Sequence, residues 1–327
     1  MSLVSVLATG GTIATRADAR GVGTARDGGA DLVARLDLPP GVEVRVEDVL
    51  RVGSYLMTLQ RVHTLAVRVA ETLRDPAISG VVVTHGTDTI EETAFFLDLV
   101  HHDPRPVVVT GAQRPADAPD SDGPRNLAEA VTVAADGAAR DLGVLVSFGG
   151  RVFAARGVRK VHTLAADPFA APDTGAVGWV HRGGVGIESR PVRGAALDLA
   201  AGSTAPRVDV VACHPDADGV ALRAFADAGA RGIVLQATGA GNANPAIVAA
   251  VEEVTAAGIV VVTSTRVSTG RVAALYGNGG GADLLAAGAV PSGLLRPSQA
   301  RVLLAVLLGV HRDPGTVRTE FAARTTG

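Results

Sequence analysis

The sequence predicts an α/β protein, with a larger N-terminal domain on a mostly parallel, doubly wound sheet and a smaller C-terminal α/β domain. Three observations predict it. Short valine-rich runs recur and end in Gly, Thr or Asn, as strands buried on both faces do. A helical period separates the first two of them. The chain has 327 residues, and at about 150 residues per domain that favours two cores over one.

In chain order the strand candidates are LVSVLATGG, ISGVVVTHGT, RPVVVTGAQ, LGVLVSFGG, VDVVACHP, RGIVLQATG and AGIVVVTST. Between the first and second, Leu59, Val62, Ala66, Val69 and Leu73 repeat at three and four residues, which predicts a helix with one face on a sheet. Alternating strands and helices build right-handed crossovers, and such folds bind ligands outside the carboxyl ends of their strands. From Gly186 to Arg207 the chain has no long periodicity, with prolines near both ends. It reads as a linker between domains at 1–185 and 208–327.

Composition narrows the function classes. Lys and Arg number 30 against 33 Asp and Glu, a net charge of −3 with no basic block, so nucleic acid is not expected as a partner. The single Cys213 leaves no intrachain disulfide and no cysteine metal cluster. The eight histidines show no H-E-x-x-H, and adjacent His101 and His102 read as charge at a helix C-terminus, so neither metal nor cofactor is expected. VLLAVLLGV is half the roughly 18 apolar residues of a membrane span. The first residues carry no basic region before their apolar run, so a cytoplasmic location is expected.

Two turns hold more polar groups than a corner needs. In ATGGTIATR, Gly10 and Gly11 follow the first strand and present Thr12. In THGTDTIEET, Thr84, His85, Thr87, Asp88 and Thr89 crowd one strand end. Asp88 with Glu91 also fits a capping box, and His85 alone fits a structural histidine. GAGNANP, Gly239 to Pro245, begins a G-x-G pattern but has Asn244 before Pro245 at a helix start where a dinucleotide fingerprint needs glycine. A threonine hydroxyl needs a base to become a nucleophile. GVRKVHT offers Lys160, the only lysine in the chain, and arginine could not exchange a proton near neutral pH.

Together ATGGTIA, VGSYLM, THGTDTIEETAFFLDL, GAQRP, DGPRNL, GVRK, GAGNAN, TSTRVSTG and RPSQARVLL resemble the bacterial-type L-asparaginase/glutaminase family over nearly the whole chain. The resemblance implies an amidohydrolase that converts L-asparagine to aspartate and ammonia, with glutamine a poorer substrate, acting as a dimer or tetramer. It implies that Thr12, after Gly11, is the acylated nucleophile, and that Thr87, Asp88 and Lys160 form a second triad. In the family, which threonine acts first has been argued both ways. By the same resemblance Asp88 takes the substrate's ammonium, Ser54 with Tyr55 beside it holds the carboxylate end, and Asn242 reaches a neighbouring subunit's site. Backbone amides of the two turns are expected to face the oxyanion, each contributing about 3 kcal/mol.

The chain departs from the family pattern twice. The lid segment from Thr15 to Ala30 contains no tyrosine, and RVAALYGNGGG stands where relatives lend a glutamate from the partner subunit. Tyr276 in that second segment is expected to supply the missing phenol in trans. A non-catalytic amino-acid sensor and an amidotransferase component acting on a larger amide are the competing readings.

Overall fold

The computed structural model describes residues 1–18, 20, 23–34, 36–200 and 205–326. The chain divides into two compact units, Met1–Ala196 and Leu197–Gly327. The strands of the first unit are β1 (Ser2–Gly10), β2 (Thr15–Ala17), β3 (Gly23–Ala25), β4 (Val42–Val52), β5 (Ile78–Thr84) and β6 (Val107–Thr110). They continue with β7 (Val144–Phe148), β8 (Arg151–Ala154), β9 (Arg159–Lys160), β10 (Phe169–Ala170), β11 (Gly178–His181) and β12 (Gly184–Ile187). Its helices are α1 (Gly29–Val33), α2 (Leu59–Thr72), α3 (Ile90–Val100) and α4 (Gly123–Ala135).

Eight strands form the main sheet in the order β12-β11-β8-β7-β6-β5-β1-β4. Pairing is parallel from β4 to β7, and antiparallel where β8, β11 and β12 extend the sheet. Val81, Val82 and Val83 are fully buried because helices cover both faces of their strand. Val82 shares a cluster with Leu127, Ala130, Val131 and Ala134 of α4, while Val81 and Val83 point the other way, where α2 and α3 pack. Each such side chain contributes about 1.5–3 kcal/mol relative to an exposed one. The Leu59 periodicity forms α2, with Thr58 as N-cap accepting from Arg61 N at 3.2 Å.

β1 lies between β4 and β5, so the chain leaves β1 toward one edge and returns on its other side. That reversal is a topological switch point, and the crevice at the carboxyl ends of β1 and β5 is where such a sheet binds ligands.

β4 is not among the predicted strands, because it alternates Glu43, Arg45 and Glu47 with half-buried valines at the sheet edge instead of running apolar. The linker expected to start at Gly186 begins inside β12. Gly186 pairs with Trp179, whose ring lies where a Cβ would stand, 2.2 Å from Cε2, so the strand needs a residue that reads as a breaker. Residues 201–204 of that expected linker lie outside the described residues. His101 and His102 follow α3, but His101 is buried with Nε2 donating to Arg105 O at 2.8 Å. Burial lowers its proton affinity, which disfavours the charged ring expected at His101.

In the second unit β13 (Val208–Ala212), β14 (Gly232–Ala237), β15 (Val260–Thr265) and β16 (Val290–Pro291) pair in parallel in that order. The helices are α5 (Val220–Asp227), α6 (Pro245–Ala256), α7 (Gly281–Ala286), α8 (Pro297–Val310) and α9 (Pro314–Thr325). Leu222, Ile247 and Val251 pack with Ile233, Leu235 and Val261, while Leu304 of α8 lies against Gly232, where a Cβ would come within 2.7 Å. Asn244 caps α6 by accepting from Ile247 N at 3.0 Å, with Pro245 in the first turn, as the sequence predicts. Cys213 is buried and its thiol is pushed up to about 11, so it stays an unreactive thiol. Among the described residues no helix is long and apolar enough to cross a membrane.

Candidate active site

Four turns meet at the carboxyl ends of neighbouring strands β4, β1, β5 and β6, and glycines set how closely they approach. A Cβ on Gly10 (φ +98°) would lie 2.6 Å from Val52 N, and one on Gly11 (φ +83°) would lie 2.4 Å from Gly86 N. Only glycine tolerates both the backbone conformation and the contact. The turn after β1 is therefore wedged between those after β4 and β5. A Cβ on Gly86 would in turn meet Ser54 Oγ at 2.6 Å, and Thr89 Oγ1 donates to Ser54 O at 3.0 Å.

Each of the first three turns continues as a single turn of 3₁₀ helix: Thr12–Ala14, Ser54–Leu56 and Thr87–Thr89. The first amides of such a turn have no helical acceptor. Among the described residues the amides of Thr12, Thr87 and Asp88 donate to no other group. Thr12 is half-buried, and its Oγ1 has no hydrogen-bond partner among the described residues.

Beside it, Lys160 Nζ donates to Thr87 Oγ1 at 2.8 Å and to Asp88 Oδ1 at 2.7 Å. The lysine side chain is 15% exposed and the aspartate 57%, so one end of the pair is shielded and the other opens to solvent. The main chain at Lys160 is held from α3, where Glu91 Oε2 accepts from Lys160 N at 2.9 Å. The capping box read from Asp88 and Glu91 does not form: Thr89 is the N-cap of α3 and makes no side-chain cap bond. Both carboxylates turn instead to the strand that carries Lys160, because one main-chain amide and one ammonium there need acceptors.

His85 is structural. It is buried, with Nδ1 donating to Gly86 O at 2.7 Å and Nε2 accepting from Thr93 Oγ1 at 3.0 Å. Burial pushes its pKa down to about 4, which keeps the ring neutral. Ser54 is buried, and Tyr55 is exposed with its ring folded over Gly53. β2 and β3 pair as a hairpin anchored by Arg16 on Asp27 and by Ala17 N on Asp117 Oδ2 at 2.9 Å. Residues 19, 21 and 22 of the expected lid lie outside the described residues.

Gly11, Thr12, Ser54, Tyr55, Thr87, Asp88 and Lys160 thus gather on the first unit's turns and on β9. Asn242 and Tyr276 belong to the second unit. There Asn242 Oδ1 accepts from Gly281 N at 3.0 Å, and Tyr276 is 60% exposed with its carbonyl accepting from Ala282 N at 2.9 Å. A residue not singled out from the sequence is Gln113, in the turn after β6, whose Oε1 accepts from Thr87 Oγ1 at 2.9 Å. The GAQRP motif held it, but only the parallel pairing of β5 with β6 brings it to Thr87. Among the described residues no group of three or more His, Cys, Asp or Glu is placed to hold a metal ion.

Comparison with known proteins agrees with this architecture. Residues 3–193 match the family description "Asparaginase, N-terminal" and residues 207–321 match "Glutaminase/Asparaginase C-terminal domain". The chain is 34% identical to a Haemophilus influenzae protein named "Probable L-asparaginase periplasmic", over 97% of this chain and 92% of that one. It is also 34% identical to an L-asparaginase of Bacillus licheniformis, over 95% of this chain and 96% of that one. Among solved structures, a "Probable Cytoplasmic L-asparaginase" of Campylobacter jejuni superposes with a TM-score of 0.88 at 33% identity, covering 98% of this chain and 99% of the other. With both halves matched and relatives of this likeness over nearly its full length, the chain belongs to the asparaginase family.

Proposed function

We propose that this chain hydrolyses the side-chain amide of L-asparagine to aspartate and ammonia through a threonine acyl-enzyme, with L-glutamine a poorer substrate. The observation that carries this reading is Lys160 Nζ bridging Thr87 Oγ1 and Asp88 Oδ1 at the switch point, beside the turn that presents Thr12. Thr12 Oγ1 attacks the amide carbon and its proton passes to the leaving nitrogen. The tetrahedral intermediate expels ammonia and leaves a β-aspartyl ester. Water activated at Thr87 by Lys160 then attacks the ester, the Thr12 oxygen leaves and regains a proton, and aspartate departs. We assign the amides of Thr12 and Thr87, which have no acceptor among the described residues, to the oxyanion of each step, where one donor contributes about 3 kcal/mol. Both half-reactions balance with water as the only co-reactant.

Substrate orientation follows from charge. Asp88 gives Oδ1 to Lys160 and is more than half exposed, which leaves Oδ2 for the substrate's α-ammonium. We assign the α-carboxylate to Gly11, Ser54 and Tyr55, whose turns pack around Gly86 and Gly53 next to Thr87. We assign Asn242 and Tyr276 to the site of a neighbouring subunit in a homodimer or tetramer, with the exposed Tyr276 phenol hydrogen-bonding Thr12 Oγ1 in trans. The location we propose is the cytoplasm, supported by the single cysteine and the likeness to the Campylobacter jejuni protein. Cell fractionation tests that point, since a relative of similar identity is described as periplasmic.

The reaction is tested by assaying ammonia and aspartate with asparagine and glutamine side by side. Equal amounts of the two products from asparagine, formed faster than from glutamine, are expected. Binding of aspartate without any turnover would replace the enzyme by an amino-acid sensor.

A further inference from the structure

We propose that Gln113 is a positioning residue that fixes the direction of the Thr87 hydroxyl proton and ties Thr87 to the segment following Lys160. This inference rests on the hydrolytic reading above for its kinetic consequences.

Hydrogen-bond partners identify the two ends of the Gln113 amide. One end lies 3.2 Å from Thr163 O and 2.9 Å from Ala165 O, and carbonyl oxygens can only accept. That end must be the NH₂ group, so the other end is Oε1, also an acceptor only. Thr87 Oγ1 at 2.9 Å must therefore donate its proton to Gln113. Its remaining hydrogen-bonding capacity is as an acceptor, and Lys160 Nζ fills part of it at 2.8 Å. While Lys160 carries its proton, the donors run in one direction, from Lys160 to Thr87 to Gln113. One lone pair of Thr87 Oγ1 is left to face a substrate or a water.

The amide is itself held in place. Asp122, only 8% exposed, accepts from Gln113 N at 3.1 Å and from Arg114 N at 2.9 Å, which pins the backbone from which the side chain reaches. On the far side, His162 Nδ1 accepts from Leu164 N at 3.1 Å and Ala165 N at 2.9 Å, closing the turn whose carbonyls hold Nε2. A single planar group therefore spans the turn after β5 and the segment after β9. Displacing that segment would release the Thr87 hydroxyl as well.

Gln113→Met keeps the side-chain length and removes both the acceptor and the donors. Loss of one such hydrogen bond should lower kcat for asparagine about 10-fold with KM within about threefold. The same change in a Thr87→Ser background discriminates positioning from mere support. Serine lacks the γ-methyl that restricts χ1 and depends more on an external acceptor, so the loss there should be at least about threefold greater. A kcat within about twofold of the unaltered enzyme, a change confined to KM, or an equal or smaller factor in the serine background would overturn the inference. If Gln113→Met does not fold, as judged by its melting curve, Gln113→Leu carries the same comparison.

Failure of the hydrolytic reading appears separately, as absence of turnover by the unaltered chain. Neutron diffraction from deuterium-exchanged crystals then reads the hydroxyl without any reaction. A deuteron on Thr87 Oγ1 pointing at Gln113 Oε1 is expected, and one pointing at Lys160 Nζ would overturn the inference.

Discussion

Replacing Lys160 by arginine separates charge from proton exchange. The ammonium sits 2.8 Å from Thr87 Oγ1 and 2.7 Å from Asp88 Oδ1 with 15% of its side chain exposed. A guanidinium keeps the positive charge but cannot give up a proton near neutral pH, so the general-base contribution proposed for Lys160, about 10²–10⁴ in rate, should be lost. Folding should suffer little. Asp88 is 57% exposed, and solvent screening limits an ion pair of this kind to about 1 kcal/mol or less. The assay is ammonia release at saturating asparagine, with melting curves of both proteins beside it. The expected outcome is a turnover at most about a hundredth of the unaltered enzyme's with a melting temperature within a few degrees. A folded Lys160→Arg protein with more than about a tenth of the original turnover would reduce the lysine to an electrostatic role and refute proton exchange at Lys160.

Gly11→Ala should abolish activity and lower stability by at least about 1–3 kcal/mol in thermal denaturation, since alanine at φ +83° is strained and its Cβ would meet Gly86 N at 2.4 Å. Tyr276→Phe should reduce turnover about 10²-fold with the oligomer unchanged, and wild-type turnover would remove the phenol from the reaction. Burial lowers His85 from the ordinary 6.5 to about 4, so below pH 6.5 the unfolded chain takes up a proton that the folded chain refuses. Stability from this group is complete above pH 6.5 and falls by about 3 kcal/mol as the pH drops to 4. His85→Gln should lose that acid limb, seen as a smaller difference between melting temperatures at neutral and acid pH. Activity per subunit should fall on dilution through the dissociation range, and a fully active monomer would contradict a site completed in trans.

Much of the parallel sheet was legible because burial on both faces forces a continuous apolar run. LVSVLATGG, ISGVVVTHGT, RPVVVTGAQ and LGVLVSFGG became β1, β5, β6 and β7, and the last three runs became β13, β14 and β15. Strands that deviate from that pattern were hidden. β4 alternates charges with valines at an edge, and β12 contains the glycine that Trp179 requires. In the candidate site, Thr12 and Thr87 stood out as hydroxyls in polar turns after strands, and Lys160 as the only lysine. Gln113 did not, because an isolated glutamine has no periodic or compositional signal, and its meaning comes from contacts 26 and 52 residues away. The capping box of Asp88 and Glu91 misled for a related reason. Local spacing satisfied the rule, while Lys160, 72 residues from Asp88, was the stronger partner.

The proposed reaction passes through a threonine acyl-enzyme, which partitioning with hydroxylamine detects. A common β-aspartyl ester must divide between water and hydroxylamine in one ratio, whatever group it lost on forming. The measurement is the ratio of aspartyl hydroxamate to aspartate, obtained once with asparagine and once with the β-methyl ester of aspartate. The same ratio from both, with both products lost in Thr12→Ala, is the predicted result. A ratio that changes with the leaving group, or hydroxamate formed undiminished by Thr12→Ala, would contradict an acyl-enzyme at Thr12.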